Sequence, residues 1–382
     1  MPPSPESVWL TGVVEKLVSG GDGLVRGEGP LVFVPGALPG EVIRYSVSRQ
    51  EKGFLRGRLE SVVSPSADRR TPPCELYGLC GGCDFMHLTE DAQRRQKQLL
   101  VAESFRRIAK KEIPLPALVA GPAWAYRTRL QLHKSTAQSR AGFMARGSNE
   151  VVPVTRCPIA TDGFRELLEG GAPDLRVGRT LVFAPGDTPW EEGRDPVVRV
   201  EVAGKPFLVA TDGFFQSNSA LLPAFVEQVV GGLPETAHGR ALDLYCGVGL
   251  FAAFLADHYP RVTAVEENAS ALDLARKNVV GPLHEFIASS LEAWVARLKR
   301  VTPKPRWDVI VVDPPRTGLS GEVRRFLADF PTSHLIYVSC NPDTLARDTA
   351  DLETKGYRLD SLTLFDFYPQ TSHIEAVARF VR

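Results

Sequence analysis

The chain has 382 residues, 43% of them hydrophobic and 24% charged, as in a folded globular protein of two or three domains. Basic and acidic residues balance at 45 each, but residues 1–148 carry 21 Lys and Arg against 14 Asp and Glu. No apolar run approaches the roughly 20 residues that span a bilayer, and residues 1–6 do not read as a signal peptide, so we expect a cytoplasmic protein without a membrane partner. The basic front half suggests a polyanion partner, and a solvated basic face is the alternative.

Short strands broken by glycine and proline follow one another through residues 8–63. This pattern predicts a small β-barrel of the oligonucleotide-binding (OB) kind, in a first domain at residues 1–67. Seven basic residues lie between Arg44 and Arg70, with Tyr45 and Phe54 among them. Basic side chains beside aromatic rings suit single-stranded RNA. The alternative is an ordinary β-module with a basic rim.

Four cysteines of the front half have a spacing that suits a metal site. Cys74, Cys80 and Cys83 lie in a glycine-containing loop, and Cys157 precedes a proline much later in the chain. Disulfides are rare in the cytosol. Four thiolates gathered from one loop and one remote segment fit an iron–sulfur cluster or a structural zinc ion.

A helix is predicted over residues 89–111, with Thr89 as its N-cap and Pro114 as its stop. Residues 124–210 then read as strands separated by glycine turns. Residues 126–148 hold five basic and no acidic residues, which suits either RNA or a solvated face. Together these segments predict a β-rich central domain at residues 68–210.

From residue 211 the pattern changes to short apolar strands that alternate with helices. This alternation predicts an α/β, Rossmann-like domain at residues 211–382, with a parallel sheet covered on both faces. Ligands bind such sheets at the carboxyl ends of the strands. The predicted strands are 241–246, 261–266, 285–288, 308–312, 335–340, 359–367 and 374–381. The predicted helices are 249–259, 268–280, 291–300, 321–330 and 342–355.

The first motif of this domain is Asp243–Gly249 (DLYCGVG), at a turn from strand to helix. Glycines at such a turn let a ligand approach the backbone. Glu266, at the end of the next strand, is placed to accept hydrogen bonds from ribose hydroxyl groups. With Ala252 the motif also satisfies the dinucleotide fingerprint, so it indicates a nucleoside cofactor without saying which one. A turn with no ligand is the alternative.

The second motif is Asp313–Arg316 (DPPR), which ends the fourth strand of the sheet. Two prolines make a rigid turn and hold the Asp313 carboxylate at the rim of the sheet. Enzymes that methylate nucleobases carry Asp/Asn-Pro-Pro there, so the motif favours S-adenosylmethionine over a nicotinamide cofactor. A purely structural proline turn is the alternative.

Two further segments end at the same rim. Cys340 precedes a helix that Pro342 begins, and the positive end of that helix dipole is expected to lower the pKa of the thiol. Glu375 opens the last strand after the loop Pro369–Ile374. The alternatives are a small buried residue for Cys340 and a surface charge for Glu375.

These positions fit one reaction. Uracil carbon 5 is too weak a nucleophile to attack a methyl sulfonium, but a thiolate that adds to carbon 6 moves electron density onto carbon 5. After methyl transfer, a base must remove the carbon-5 proton so that the thiolate can leave. Cys340, Glu375 and Asp313, with the pocket at 243–266, would supply these functions. The target uridine must be single-stranded or flipped out.

Taken together, the motifs resemble those of the RNA 5-methyluridine (uracil-C5) methyltransferase family, in its branch with a TRAM domain and an iron–sulfur cluster. The resemblance covers nearly the whole chain. The segments that carry it are Val34–Glu41, the four cysteines, Gly142–Pro158, Phe214–Asn218, Asp243–Gly249, Asp313–Arg316, Ser339–Asp348 and Pro369–Glu375.

The resemblance implies roles for individual residues. Cys340 would be the nucleophile and Glu375 the base. The residues implied to bind S-adenosylmethionine are Gln216, Tyr245, Gly247, Gly249, Glu266, Ser290 and Asp313. The residues implied to hold a [4Fe-4S] cluster are Cys74, Cys80, Cys83 and Cys157. The helix at 89–111 would pack on the catalytic domain.

Two positions depart from the family pattern: Leu250 replaces a residue that is often polar, and Ser290 stands where an asparagine can contact the adenine. Both weaken the expected adenine contacts and leave the chemistry unchanged. We expect a monomer that acts on 23S ribosomal RNA, with the tRNA T-loop as the alternative target. A nicotinamide-dependent oxidoreductase and a non-catalytic RNA-binding or assembly factor are the competing functions.

Overall fold

A computed structural model describes residues 9–27, 29–134, 140–172, 175–234 and 239–382. Within these ranges the chain forms an N-terminal barrel, a central β-rich region and an eight-stranded sheet flanked by helices. The expectation about a signal peptide concerns residues 1–6, which lie outside the described residues. No helix in the described part of the chain is both long and apolar enough to cross a membrane.

The N-terminal strands are β1 (Leu10–Leu17), β2 (Gly23–Val25), β3 (Leu31–Val34), β4 (Val42–Glu51) and β5 (Phe54–Ser64). They close into a barrel in the order β1-β2-β3-β5-β4, in which only β3 and β5 pair in parallel. Strand residues alternate between the two faces, so that valines, Ile43 and Tyr45 fill the interior. The predicted OB-like barrel is confirmed.

A long helix, α1 (Glu90–Ser104), follows the cysteines and continues as a π-helical turn through Phe105–Ala109. Lys110 ends it in the left-handed conformation, with φ 53°. Thr89 occupies the N-cap position, but its hydroxyl makes no capping hydrogen bond, contrary to the sequence prediction. Leu100, Val101 and Phe105 are buried in the core beneath the large sheet.

The central region contains a five-stranded antiparallel sheet and a short helix, α2 (Arg165–Glu169). Its strands are β7 (Arg129–Lys134), β8 (Gly142–Met144), β9 (Val151–Pro153), β10 (Gly178–Phe183) and β11 (Trp190–Glu191), in the order β11-β10-β7-β8-β9. Two further strands, β12 (Val197–Val202) and β13 (Lys205–Ala210), form a separate hairpin.

The large sheet holds most of the C-terminal half. Its strands are β6 (Ala117–Ala120), β14 (Arg240–Leu244), β15 (Arg261–Glu266), β16 (Glu285–Ala288), β17 (Val309–Val312), β18 (His334–Ser339), β19 (Arg358–Asp366) and β20 (Glu375–Val381). The order is β16-β15-β14-β17-β18-β20-β19-β6. The first five strands are parallel, β20 is antiparallel to both of its neighbours, and β6 is parallel to β19.

Helices cover both faces of this sheet, because alternate strand residues enter two separate cores. Ala241 of β14 belongs to one core, and Leu242 and Leu244 belong to the other. The predicted Rossmann-like α/β fold is therefore confirmed. The helices are α3 (Leu222–Val230), α4 (Leu250–His258), α5 (Ala269–Asn278), α6 (Leu291–Leu298), α7 (Gly321–Asp329) and α8 (Pro342–Thr354).

Two segments from the range predicted for the central domain pack with the catalytic sheet. Strand β6 pairs with β19, from Ala117 opposite Thr363 to Ala120 opposite Asp366. The β12–β13 hairpin packs on α4 and α5, and Asn278 Oδ1 accepts a hydrogen bond from the Leu208 N–H at 2.8 Å. Helix α1 contacts α8 and β6. The predicted boundaries at residues 67 and 210 remain a prediction.

Candidate active site

The order of the strands creates a crevice. The chain proceeds from β14 outwards to β15 and β16, then returns to β17 and β18 on the other side of β14. Ligands of open α/β sheets bind at such a reversal, at the carboxyl ends of the strands. The Asp313 N–H donates to the carbonyl oxygen of Leu244 at 3.2 Å, which joins the ends of β17 and β14. The two motifs therefore meet at this crevice.

The cofactor loop, residues 245–249, leaves β14 through an unusual backbone path. Tyr245, Gly247 and Gly249 have φ values of 63°, 54° and 83°, which strain any residue with a side chain. A Cβ on Gly249 would lie 2.9 Å from Val279 Cγ2, so a glycine is required there on steric grounds as well. The absence of side chains at Gly247 and Gly249 lets a ligand approach the loop backbone at the start of α4.

Glu266 lies next to this loop, as the sequence predicts. It accepts a hydrogen bond from the Gly247 N–H at 3.0 Å and another from the Asn268 N–H at 2.8 Å. These contacts fix its carboxylate at the rim of the sheet. Ser290 lies further out, after the edge strand β16, and its hydroxyl caps α6 by accepting from the Ala293 N–H at 3.4 Å. Its role as an adenine contact remains a prediction.

Asp243 precedes the cofactor loop by two residues, and the sequence analysis gave it no role of its own. It is fully buried, and one carboxylate oxygen accepts from the Ala252 N–H at 2.9 Å, which fastens the first turn of α4 to β14. The other oxygen has no hydrogen-bond partner among the described residues. Burial raises the pKa of Asp243 well above its usual range. The sequence feature that could have identified Asp243 is an acidic residue within the otherwise apolar strand segment Ala-Leu-Asp-Leu.

Cys340 and Glu375 lie across from each other at the rim. Strands β18 and β20 pair with Val338 opposite Val377 and Ser339 opposite Ala376. Continuing this register by one residue sets Cys340 opposite Glu375. Residues opposite each other in an antiparallel pair have their side chains on the same face, with Cα atoms about 4.5–5.5 Å apart. Of the two, Glu375 is buried and Cys340 is half-buried.

The predicted lowering of the Cys340 pKa is wrong. Burial, together with the nearby carboxylates of Glu375 and Asp313, raises the pKa of this thiol to about 11, and the Arg316 guanidinium opposes them. The helix dipole at Pro342 is present, but desolvation and two like charges outweigh it. In the free protein Cys340 is therefore a thiol at neutral pH.

The two carboxyl groups are also perturbed. Burial raises the pKa of Asp313 to about 7 and holds the pKa of Glu375 well above its usual range, with the charge of Asp313 adding to the effect on Glu375. Arg316 again opposes the shift at Glu375. Acids whose pKa lies nearer to neutrality are suited to proton transfer, so this cluster has the character of an active site.

Gln216 reaches the same cluster from the segment after β13. It is buried, and its side-chain oxygen accepts from the Tyr368 hydroxyl at 3.2 Å. Tyr368 belongs to the base loop, which we define as residues 367–374 between β19 and β20. Burial raises the pKa of Tyr368 to about 12, and the charges of Glu375 and Cys340 add to this shift. Gln216 therefore lies on the Cys340–Glu375 side of the crevice.

A small cavity of about 180 Å³ opens beside the nucleophile. Cys340, Arg316 and His373 line it, together with Ser19 and Gly20 from the barrel. The Arg316 guanidinium lies 3.5 Å from His373 Nδ1. The sequence analysis included Arg316 and His373 within motifs without giving either a role. Their shared position beside a thiol could not be read from spacing alone.

The four cysteines predicted to bind a metal line a second, larger cavity of about 560 Å³. This cavity shares Gly20, Ser372 and His373 with the first one. Burial raises the pKa of Cys83, and the neighbouring thiols of Cys157 and Cys80 add to the shift. Nowhere in the described ranges do three His, Cys, Asp or Glu side chains converge closely enough to hold one metal ion. The thiols that line this cavity are Cys74, Cys80, Cys83 and Cys157.

Comparison with known proteins agrees with this geometry. The family described as tRNA (Uracil-5-)-methyltransferase matches residues 197–380. A 23S rRNA (uracil(1939)-C(5))-methyltransferase RlmD from Shewanella sediminis is 30% identical, over 98% of this chain and 96% of the relative. An uncharacterized RNA methyltransferase from Treponema denticola is also 30% identical, over 92% of this chain and 94% of its own length.

A solved structure shares the fold. The tRNA (uracil-54, C5)-methyltransferase of Pyrococcus abyssi, determined in complex with S-adenosyl-L-homocysteine, superposes with a TM-score of 0.73 at 24% identity. The match covers 97% of this chain and 100% of that chain. The full-length relatives favour S-adenosylmethionine over a nicotinamide cofactor and an enzyme over a non-catalytic factor. This chain thus belongs to the family of S-adenosylmethionine-dependent RNA uracil-C5 methyltransferases.

Proposed function

We propose that this protein methylates carbon 5 of one uridine of 23S ribosomal RNA, with Cys340 as nucleophile and Glu375 as base. The observation that carries the proposal is the register of β18 and β20, which, extended by one residue beyond Ser339 and Ala376, sets the thiol and the carboxyl group side by side at the rim. The 23S target rests on relatives such as the Salmonella typhi enzyme, which is 29% identical over 98% of this chain.

The reaction needs three events at the uracil ring. The Cys340 thiolate adds to carbon 6, and the electron pair of the carbon 5–carbon 6 double bond moves towards carbon 5. When bound, S-adenosylmethionine supplies the methyl group that carbon 5 attacks, and the sulfonium sulfur keeps the electron pair of the broken bond and leaves as a neutral thioether. Glu375 then takes the proton from carbon 5, the double bond re-forms, and the carbon–sulfur bond to Cys340 breaks.

Cys340 carries a proton at neutral pH, because its pKa is raised to about 11, mainly by burial. Burial also raises the pKa of Glu375, and each group reacts in its ionised form. Positive charge nearby favours the ionised forms, and Arg316 supplies such charge to both groups. We therefore assign Arg316 the role of stabilising the Cys340 thiolate as it forms.

The cofactor residues fall into two groups in this proposal. Glu266 would bind the ribose, and the backbone of the loop at Gly247 and Gly249 would pack against the rest of the cofactor. Asp313 and Gln216 lie on the opposite side of the crevice, where their polar groups would border both the cofactor and the uracil edge. Tyr245 and Ser290 would complete the pocket.

The direct test is a map of 5-methyluridine in 23S rRNA and tRNA from cells with and without this protein. Loss of one 23S site on deletion is the expected result. Loss confined to the tRNA T-loop would reassign the substrate, and no loss in any RNA would contradict the methyltransferase proposal. In vitro, Cys340→Ala should abolish methylation and adduct formation, whereas Glu375→Gln should trap a methylated protein–RNA adduct.

We further propose that Cys74, Cys80, Cys83 and Cys157 hold a [4Fe-4S] cluster. Each thiolate of a four-cysteine cluster binds a different iron, so the ligands surround a volume rather than a point. Four thiols that line one cavity without converging on a single ion suit this arrangement better than structural zinc. The reaction requires no electron transfer, so the cluster would have a structural or RNA-orienting role.

Purification without oxygen tests the cluster. The protein should be brown and contain about four iron atoms, and Cys83→Ser should lose the colour. Cys340→Ala serves as the matched control, since it removes a thiol outside the cluster and should keep the iron. Colourless protein with one zinc ion per chain would contradict the proposal.

The RNA would cross the barrel and the central region. Phe54 packs edge-on against Phe33 at 5.1 Å, and the Arg56 guanidinium lies 5.6 Å from the Phe54 ring, a combination that suits stacked bases. Arg127 and Arg146 line the cysteine cavity and would contact phosphates. We propose a cytoplasmic monomer with domains at residues 1–67, 68–210 and 211–382.

A further inference from the structure

Asp84 directly follows the last cysteine of the cysteine segment, which we define as residues 74–83. Both of its carboxylate oxygens bind one residue of the base loop. The Ser372 N–H donates to Oδ1 at 2.6 Å, and the Ser372 hydroxyl donates to Oδ2 at 2.7 Å. Hydrogen bonds to a charged acceptor are about twice as strong as neutral ones, so Asp84 is a strong clamp on Ser372.

The backbone reinforces this clamp. The N–H groups of Asp84 and Phe85 both donate to the carbonyl oxygen of Gln370, at 3.2 and 3.0 Å. Gly21 of the barrel packs directly against this contact: a Cβ on Gly21 would lie 2.7 Å from the Phe85 ring and 3.2 Å from Ser372 Cβ. Four hydrogen bonds and a close steric contact therefore tie the cysteine segment to the base loop.

The base loop is held in a conformation that it would not adopt unaided. Gln370 has a φ of 69°, which costs a residue with a side chain about 1–3 kcal/mol. Gln93 of α1 holds it through two hydrogen bonds: the Gln93 amide donates to Gln370 Oε1 at 2.9 Å, and the Gln370 N–H donates to Gln93 Oε1 at 2.8 Å. Ser372 is the next clamped residue, three positions before Glu375.

We propose that Asp84 is a positioning residue that couples the cysteine segment to the removal of the carbon-5 proton by Glu375. The proposal rests on the proposed function, because it assigns Asp84 to the second half of that reaction. A shift of the cysteine segment displaces Asp84, and through Ser372 it displaces the start of β20. Misplacement by about 1 Å can lower a rate about 100-fold.

The coupling should act most strongly on one step, the removal of the carbon-5 proton. Cys340 lies between β18 and α8, and the hydrogen bonds of Asp84 described above all go to the base loop, not to those two elements. Ser372 and His373 also line the cavity beside Cys340, so addition of the thiolate and methyl transfer should slow a little when Asp84 is changed, but proton removal should slow more. The methylated protein–RNA adduct should accumulate, as with Glu375→Gln.

The experiment uses the full-length protein, its RNA substrate and S-adenosylmethionine labelled in the methyl group. Denaturing gels separate the labelled adduct from released RNA over a single turnover. Asp84→Ala should lower kcat about 10- to 100-fold, leave KM for S-adenosylmethionine unchanged and accumulate labelled adduct. Asp84→Asn, which keeps an acceptor for the Ser372 N–H, should recover much of the rate. Asp91→Ala, a change at an exposed acid on α1, should behave as wild type.

A second variant guards against a folding defect. Ser372→Ala removes only the hydroxyl bond and should accumulate adduct to a smaller extent, and the double change with Asp84→Ala should add little beyond Asp84→Ala alone. Release of product at the wild-type rate by Asp84→Ala and Ser372→Ala would overturn this inference alone. Absence of adduct and of 5-methyluridine with the wild-type protein and Glu375→Gln would instead overturn the proposed function.

Discussion

The ammonium group of Lys97 on α1 lies 2.6 Å from a carboxylate oxygen of Asp366 at the end of β19, and both side chains are buried. Lys97 also donates to the carbonyl oxygen of Tyr368 at 3.0 Å. Removal of one partner leaves a buried charge uncompensated. We expect Lys97→Met to lower the free energy of unfolding by about 3–5 kcal/mol, measured by urea denaturation.

The double change Lys97→Met with Asp366→Leu removes both charges and should recover most of that stability. Arg325→Met, which breaks an exposed ion pair with Glu322 on α7, should change it by less than about 0.5 kcal/mol. A similar small effect for Lys97→Met would mean that the buried pair contributes no more than a surface pair.

Reactivity of Cys340 should depend strongly on pH. Burial raises the pKa of this thiol to about 11, so the thiolate fraction of the free protein grows about tenfold per pH unit below that value. Alkylation of Cys340 by iodoacetamide should accelerate in the same proportion, followed by mass spectrometry of its peptide. Arg316→Gln should slow alkylation at every pH, because it removes the charge that favours the thiolate. A wild-type rate that is constant above neutral pH would contradict the raised pKa, and an unchanged rate in Arg316→Gln would contradict the role of Arg316.

Glu375→Gln should stabilise the protein at high pH. The pKa of Glu375 is raised in the folded state, so the folded protein binds this proton more tightly than the unfolded chain. The free energy of unfolding therefore falls by about 1.4 kcal/mol per pH unit as the pH rises from the ordinary pKa of Glu towards the raised pKa of Glu375 in the folded protein. The difference in unfolding midpoint between Glu375→Gln and wild type should grow as the pH rises above the ordinary pKa of Glu. An unchanging difference would count against the burial of this carboxyl group.

Glu266 should control affinity for S-adenosylmethionine. Its carboxylate is fixed beside the cofactor loop by the N–H groups of Gly247 and Asn268. Loss of charged hydrogen bonds to the ribose in Glu266→Gln should weaken binding about 10- to 100-fold, measured by calorimetry. Glu267→Gln changes the adjacent exposed acid and should leave affinity as it is. Equal effects of the two changes would indicate a general effect of charge.

Much of the catalytic sheet could be predicted because its signals are local. The strands Arg261–Glu266 and Glu285–Ala288 agree with the predicted bounds, since apolar runs with turn residues at their ends define them. The prediction that Cys340 and Glu375 end at one rim needed only strand order and the alternation of strands and helices. The cross-strand register that sets them opposite each other needed coordinates.

What could not be predicted depends on contacts between distant segments. The helix dipole at Pro342 can be predicted from the sequence, but the burial of Cys340 and its proximity to Asp313 and Glu375 cannot. The predicted direction of the Cys340 pKa shift was therefore wrong. Strand β6 has four residues and no pattern of its own. The bond between Asp84 and Ser372 joins residues 288 positions apart.

The position of β6 at the outer edge of the sheet has a consequence for synthesis. Ala117 pairs with Thr363, and α1 is buried against elements that emerge still later than the central region. At about 5–20 residues per second, these early segments wait about 12–50 s for their partners to leave the ribosome. A nascent chain that stops after the central region exposes the apolar face of α1, so chaperone binding should peak in that interval.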